Sequence, residues 1–205
     1  MLSKKDKAYW MWKEKDVVKS LVNIEKLGFI IADDPDFKAY PECLLRRDAA
    51  EGLVKARGFL PKGCNFKIYC GWRPWEYQKK CALKAEEMIR KTFPAWPEKK
   101  IQEQLWLMAP PQRIVPRLDS HRYGGAVDIT VAGKDGKEFN MGVPVDYVKG
   151  PESQLLYYEL KDGLTAQEKF FRDNRRIIIK AMIGGGFDSY LYEFWHWGYR
   201  QQSKI

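Results

Sequence analysis

The stretch HRYGGAVDITVAG, residues 121–133, decides how this chain is read. It holds one of the two histidines, a pair of glycines, and then AVDITVAG, in which β-branched residues alternate around an aspartate. Branched side chains fit a pleated surface, so a β-strand is expected over 126–133. Small residues at Gly124, Gly125 and Ala126 let the backbone bend and pack closely before that strand. KDGK, residues 134–137, follows as a hairpin-like turn. Asp128 is the odd residue. Flanked by Val127 and Ile129, it is poorly explained as a solvated loop charge, and a buried carboxylate needs a partner. On this stretch alone it reads equally as a turn residue or a metal ligand.

Working outward, NFKIYCGWRP (65–74) alternates apolar and polar residues as a strand that stops at Pro74. Residues 75–93 place Tyr77, Cys81, Met88 and Ile89 at approximately helical spacing. A second helix is expected after Pro97 through IQEQLWLM, ended by the proline-rich loop PPQRIVPRLDS (110–120). Nearer the N-terminus, 22–45 reads as short strands and turns, and RRDAAEGLVKARGFL (46–60) as a helix with Asp48 as N-cap. Downstream, Thr165 and Glu168 form a capping-box pattern for a helix through FFRDNRRIIIKAMI, stopped at Gly184, Gly185 and Gly186. YLYEFWHWGYR (190–200) closes the chain with a run of β-formers. Strands and helices interleave irregularly. The expectation is a single α+β domain over 22–205, mainly an antiparallel sheet flanked by helices, preceded by an arm over 1–21.

At 205 residues the chain can bury one proper core, enriched by 8 Trp, 11 Tyr and 10 Phe. The formal charge of +9 is spread along the chain, and no zinc-finger spacing or glycine-aromatic RNA-binding run accompanies it. Nucleic acid is therefore not the expected partner. Charges at Lys13, Glu14, Lys15 and Asp16 interrupt the N-terminal aromatic patch before a signal-peptide core forms, and no run approaches a membrane span. A cytoplasmic protein without membrane insertion is expected, or a periplasmic or secreted one if a leader precedes the given sequence. Cys43, Cys64, Cys70 and Cys81 lack the close pairing of a structural zinc site and read as part-buried free thiols.

The chemistry gathers around the histidines. Either one alone is more often surface or core filler than a ligand. His121 and Asp128, however, flank a turn that can reverse the chain and bring imidazole and carboxylate together. Glu193 and His196 give E-x-x-H, and positions three apart on an ideal strand face opposite sides. A shared site thus demands a bend or bulge between them. If the demand is met, His121, Asp128 and His196 supply three zinc ligands and leave the fourth position for water. Glu193 is then the carboxylate that moves the proton. Arg73, in GWRP, is either a surface or ion-paired arginine or a guanidinium aimed at the developing oxyanion.

H-x-x-G-x-A-x-D, MGVPVD (141–146), a long helix with a glycine-rich stop, and E-F-W-H together resemble the VanX-type zinc D-alanyl-D-alanine dipeptidases. Those are peptidoglycan D,D-peptidases related in fold to the Hedgehog signalling domain. GWRP resembles their aromatic-Arg-Pro motif, and ECLLRRDAAEGLVKA their early helix; the likeness covers roughly residues 22–200. It implies one zinc ion on His121, Asp128 and His196, Glu193 as base, Arg73 as transition-state stabiliser, and a small D,D-dipeptide as substrate. It also offers Asp146 as the anion for the substrate's amino terminus, although a turn or cap role fits Asp146 as well. Where the family pattern has serine two residues before the first histidine, this chain has Asp119, with Ser120 beside His121, so both become candidate substrate-binding residues. Two alternatives are a D,D-carboxypeptidase or L,D-endopeptidase acting on stem peptides, and a non-catalytic zinc-containing wall-binding module.

Overall fold

The computed structural model describes residues 17–34, 42–108, 118–147 and 149–200. Strands β1 (Leu21–Asn23) and β3 (Leu44–Arg46) form a small antiparallel pair, with Leu21 opposite Arg46. The main sheet orders five strands: β2 (Ile30–Ile31), β4 (Asn65–Cys70), β5 (Ala126–Ala132), β7 (His196–Tyr199) and β6 (Phe187–Ser189). All neighbours run antiparallel except β2 and β4, which are parallel. Helices α1 (Arg47–Arg57), α2 (Trp75–Thr92), α3 (Glu98–Met108), α4 (Tyr157–Leu160) and α5 (Ala166–Gly185) flank it. This is the expected single α+β domain, its sheet mixed at one edge.

The expected arm lies outside the described residues up to residue 16; residues 17–20 are helical, with Val17 buried. The proline-rich loop likewise lies outside them from 109 to 117. No helix among the described residues is long and apolar enough to cross a membrane.

Strand β5 organises the core. Its sequence alternates, but all seven residues are buried, because the strand is central and covered on both faces. Val127, Ile129 and Val131 join Phe66 and Ile68 of β4, Leu53 of α1, and Ile178 and Met182 of α5 in the main cluster. Each such aliphatic residue contributes about 1.5–3 kcal/mol when removed from water. The alternate set, Ala126, Asp128 and Thr130, belongs to the opposite face, where the polar chemistry collects.

Beyond Ile68, β4 slips. Phe66 pairs with Val131 and Ile68 with Ile129, yet after an irregularity at residue 69 Cys70 pairs with Asp128 rather than Val127. A shift of one residue turns a side chain to the other face, so Cys70 leaves the apolar set and joins Asp128. The expected strand through residue 74 therefore stops at Cys70.

Helix ends differ from expectation for local reasons. Arg46, not Asp48, occupies the N-cap of α1, and no side chain caps it. Asp48 instead receives the Arg46 guanidinium at 2.6 and 3.0 Å, and the backbone of Ala49 at 2.8 Å. The same Arg46 donates to the carbonyls of Leu118 and Tyr123, fastening the segment that carries His121. Helix α1 also ends at Arg57 rather than Leu60. The α5 capping box forms as expected: Glu168 N–H reaches Thr165, whose own N–H reaches the Glu168 carboxylate at 3.0 Å. Its glycine stop falls two residues late. Gly184 and Gly185 are helical, and only Gly186, at φ 90°, turns out. Gly185 stays helical because α1 crosses there, where a Cβ would lie 2.7 Å from the Gly52 carbonyl oxygen and 2.5 Å from Ala56 Cβ.

Helices α2 and α3 form a hairpin around a cluster of their own, Ala82, Ala85, Ile89, Ile101 and Leu105. Its turn stacks Phe93 on Trp96 with centroids 3.9 Å apart, and the Tyr190 hydroxyl donates to Leu107 O at 2.6 Å, tying the hairpin to the β6–β7 connection.

Candidate metal centre

Three elements converge on the polar face of β5. His121 opens a short 3-10 turn just before the strand, Asp128 sits in its middle, and His196 begins β7 directly opposite Asp128. The turn is possible because the following chain is small: a Cβ on Gly125 would fall 1.9 Å from Leu118 O. The expected break before His196 is also present. Residues 190–195 curl rather than extend; Glu193 N–H donates to Tyr190 O at 3.2 Å, and His196 N–H donates to Glu193 O at 3.3 Å. Of the β-former run 190–200, only His196–Tyr199 is strand.

The three side chains meet atom to atom. His121 Nε2 lies 3.1 Å from His196 Nδ1 and 3.2 Å from Asp128 Oδ2, and His196 Nδ1 lies 3.0 Å from Asp128 Oδ1. His121 Nδ1 is 2.7 Å from Gly71 O, which fixes its proton there and leaves Nε2 with a lone pair facing the other two. Burial, then the positive charge of Arg73, pulls His121 down to about 4, so its imidazole is neutral near pH 7. Burial alone would raise Asp128, but His121 and Arg73 outweigh it and hold the carboxyl well below the usual range.

Tetrahedral zinc with ligands at 2.0–2.1 Å has ligand–ligand edges of about 3.3 Å. The observed contacts, 3.0 to 3.2 Å and divided between the two Asp128 oxygens, gather the imidazoles and the carboxylate at about that separation. The donor chemistry fits as well, two imidazoles and one carboxylate, as in an open zinc site. Sequence reasoning passed over a further donor: Cys70 Sγ lies with ligand atoms of His121 and Asp128 in a group spanning no more than 4.8 Å. Burial pushes its thiol up to about 11, against the pull of Arg73.

Arg73 Nη2 donates to Asp128 Oδ2, and Nε donates to Cys70 Sγ at 3.0 Å. Its backbone N–H meets His121 O at 3.1 Å, and Trp72 Nε1 meets Arg122 O at 3.0 Å, so the GWRP segment and the His121 turn are laced together. Glu193 is half-buried; burial first, then the negative charge of Asp128 and that of Asp146, raise its carboxyl well above the usual range against Arg73. Asp146 is exposed, has φ 65°, and acts on Glu193 electrostatically. Left-handed backbone is uncommon outside glycine, and aspartate is among the residues that tolerate it. Ser120 O accepts the N–H groups of Tyr123 and Gly125, while Asp119 packs over Gly198 of β7, whose added Cβ would meet Asp119 O at 2.7 Å.

A family model described as D-Ala-D-Ala dipeptidase, of the M15 peptidases, matches residues 32–204. The chain belongs to that family. Membership makes it a metallopeptidase, a hydrolase of the kind that acts on D-Ala-D-Ala and peptidoglycan peptides, and implies a small peptide substrate. No curated protein matches the chain. Among these M15 peptidases zinc dependence is general, and the described residues supply a group able to hold such an ion.

Proposed function

We propose that this M15 peptidase is a zinc-dependent dipeptidase that hydrolyses the amide bond of a free D,D-dipeptide, with D-alanyl-D-alanine its leading substrate. The observation that carries the reading is the cluster formed by the ring nitrogens of His121 and His196 and the two Asp128 oxygens, with Arg73 on Asp128 and Glu193 at the turn before His196. His121, Asp128 and His196 hold the ion in this reading. Bound zinc supplies a Lewis acid that polarises the scissile carbonyl and makes water acidic enough to lose a proton near neutral pH.

The protein's own groups do the rest. Glu193, whose environment raises its proton affinity, accepts the proton of the attacking water and returns it to the departing amine. Arg73 presents the edge of its guanidinium not used on Asp128 and Cys70 to the carbonyl oxygen as negative charge grows there. Asp146 receives the substrate ammonium, an assignment supported by its electrostatic reach to Glu193 and its exposure. Asp119 and Ser120, next to His121 in the chain, are the further substrate-binding candidates in this reading.

A second reading, a carboxypeptidase on longer stem peptides, has one observation in its favour. A cleft of about 350 Å³ runs from Glu193 past Tyr192, Tyr147, Phe93, Trp96 and Leu107, into the α2–α3 hairpin. That is within the size range of sites for ligands larger than a dipeptide. One assay separates the readings: zinc content, and D-alanine release from D-alanyl-D-alanine and from a pentapeptide stem, with and without chelator. Stoichiometric zinc and chelator-sensitive release from the dipeptide alone supports the dipeptidase; release only from the pentapeptide overturns it in favour of the carboxypeptidase. A zinc-loaded protein inert toward both is a binding module.

A further inference from the structure

We propose that Cys70 is a positioning residue for Arg73, holding its guanidinium in the plane from which it meets the substrate carbonyl. The inference rests on the role given to Arg73 above, and goes one step behind it.

The local register is the first observation. A regular β4 would set Cys70 opposite Val127, in the apolar core; the irregularity after Ile68 sets it opposite Asp128 instead. The second is the hydrogen-bond pattern. Arg73 is held through its Nε–Nη2 edge by two acceptors from adjacent strands, Cys70 Sγ at 3.0 Å and Asp128 Oδ2. Among the described residues Nη1 has no partner, so the opposite edge is the one left to face a ligand. A guanidinium is a rigid planar fork on a flexible stem, and two points of attachment along one edge fix its plane where one leaves it free to swing.

The two anchors differ in what else they must do. Asp128 is shared with both histidines, and in the zinc reading its oxygens serve an ion. Cys70 has one further bond, in which its S–H donates to Gly71 O at 3.6 Å. That carbonyl also accepts His121 Nδ1–H at 2.7 Å. The chain Arg73, Cys70, Gly71, His121 thus ties the guanidinium to the backbone atom that orients the first imidazole. At 2 % exposure the thiol is sealed from solvent, which keeps water from replacing it as the acceptor.

The test uses the zinc-loaded full chain and five variants: Cys70→Ala, Cys70→Val, Cys70→Ser, Arg73→Ala, and the Cys70→Ala/Arg73→Ala pair. Misplacing a catalytic group by an ångström costs up to ~100-fold in rate. Cys70→Ala and Cys70→Val, which lack an acceptor, should therefore lower kcat by roughly 10- to 100-fold with KM changed by less than about threefold. Cys70→Ser, which can both accept and donate, should recover most of the loss. The double variant should be no slower than Arg73→Ala, because the two residues act as one unit. An independent reading comes from NMR: an arginine Nε–H signal that is absent in Arg73→Ala should be protected from exchange in the wild type and Cys70→Ser, and should lose protection in Cys70→Ala and Cys70→Val. Wild-type kcat in the acceptor-less variants, an additive double variant, or unchanged Nε–H protection each overturns the positioning role. If Arg73→Ala itself keeps full kcat, the assigned role of Arg73 has failed, and the Nε–H protection then decides the Cys70 contact on its own.

Discussion

At the residue scale, the site is built from side chains whose environments push their proton affinities apart: His121 down, Asp128 far down, Glu193 up. Glu193→Gln keeps the shape of the carboxylate and removes its ability to take a proton. It should lower kcat by roughly 10²- to 10⁴-fold while leaving zinc stoichiometry unchanged. Near-full activity in that variant, measured as D-alanine release beside metal analysis, sinks the assignment. Arg175 supports the site without touching it. It is buried to 1 % exposure on α5, donates to the carbonyls of Met141, Gln154 and Glu152, and lies over the rings of Tyr158 and Phe194. Arg175→Met fills similar volume but orphans those carbonyls, and should cost about 2–4 kcal/mol of unfolding free energy in a urea titration. A loss under about 0.5 kcal/mol would show that water or relaxation satisfies them. That His121, Asp128 and His196 come together was legible in the sequence because their chemistry is unusual where they stand: a carboxylate in an apolar strand, a histidine after glutamate in an aromatic run. Cys70, Arg46 and Arg175 were not. Their roles depend on a register slip, and on carbonyls more than 70 residues away for Arg46, which no local pattern encodes.

At the element scale, periodicity and stop signals located most helices and the central strands, and failed where tertiary packing chose the end point. Gly184 and Gly185 carry helix-stop chemistry, yet α5 continues through them because α1 must approach within backbone distance at Gly185. Gly185→Ala should raise intrinsic helix propensity and still destabilise the protein by about 1–3 kcal/mol, since the new methyl meets the Gly52 carbonyl and Ala56. A stabilised variant in thermal or urea unfolding would mean that the helices separate at no cost. The opposite end of α5 gives a pH-dependent expectation. Hydrogen bonds from Lys161 and the Thr165 backbone lower Glu168 to about 2, from an ordinary 4.5. A depressed folded-state pKa contributes stability that is complete above the unfolded value and fades as pH falls through the folded one. Glu168→Gln should therefore lower Tm relative to wild type at pH 7, and the gap should close between pH 4.5 and 2. A gap that stays constant across that range would show that the ionised carboxylate contributes nothing beyond what the amide supplies.

At the scale of the whole molecule, the sheet divides the labour: its apolar face carries the core under α1 and α5, and its polar face gathers residues from remote parts of the chain. His121 and His196 stand 75 positions apart, and Asp128 and His196 68 apart, so the cluster forms only in the folded state. An ion held there would bind the native chain and have no preformed site in the unfolded one, so in the proposed function zinc is a stabilising ligand of the fold as well as part of its chemistry. With free zinc at a thousandfold excess over its Kd, linkage gives about 4 kcal/mol of added stability. For a chain of this size each kcal/mol moves Tm by roughly 2–4 °C, so removal of the metal should lower Tm by about 8–16 °C. Calorimetry of chelated, reconstituted and untreated protein measures this directly, and His196→Ala separates the site from adventitious binding: its Tm should no longer respond to zinc. Because β7 and β5 pair through Asp128 and His196 themselves, a metal held as proposed would also tie β7 to the centre of the sheet. Hydrogen exchange should accordingly speed up first in β7 and β6 when zinc is removed, while the β4–β5 pair on the other side stays protected. Uniform loss of protection across all five strands would mean that the ion stabilises the domain as one unit and that the polar face has no local flexibility of its own.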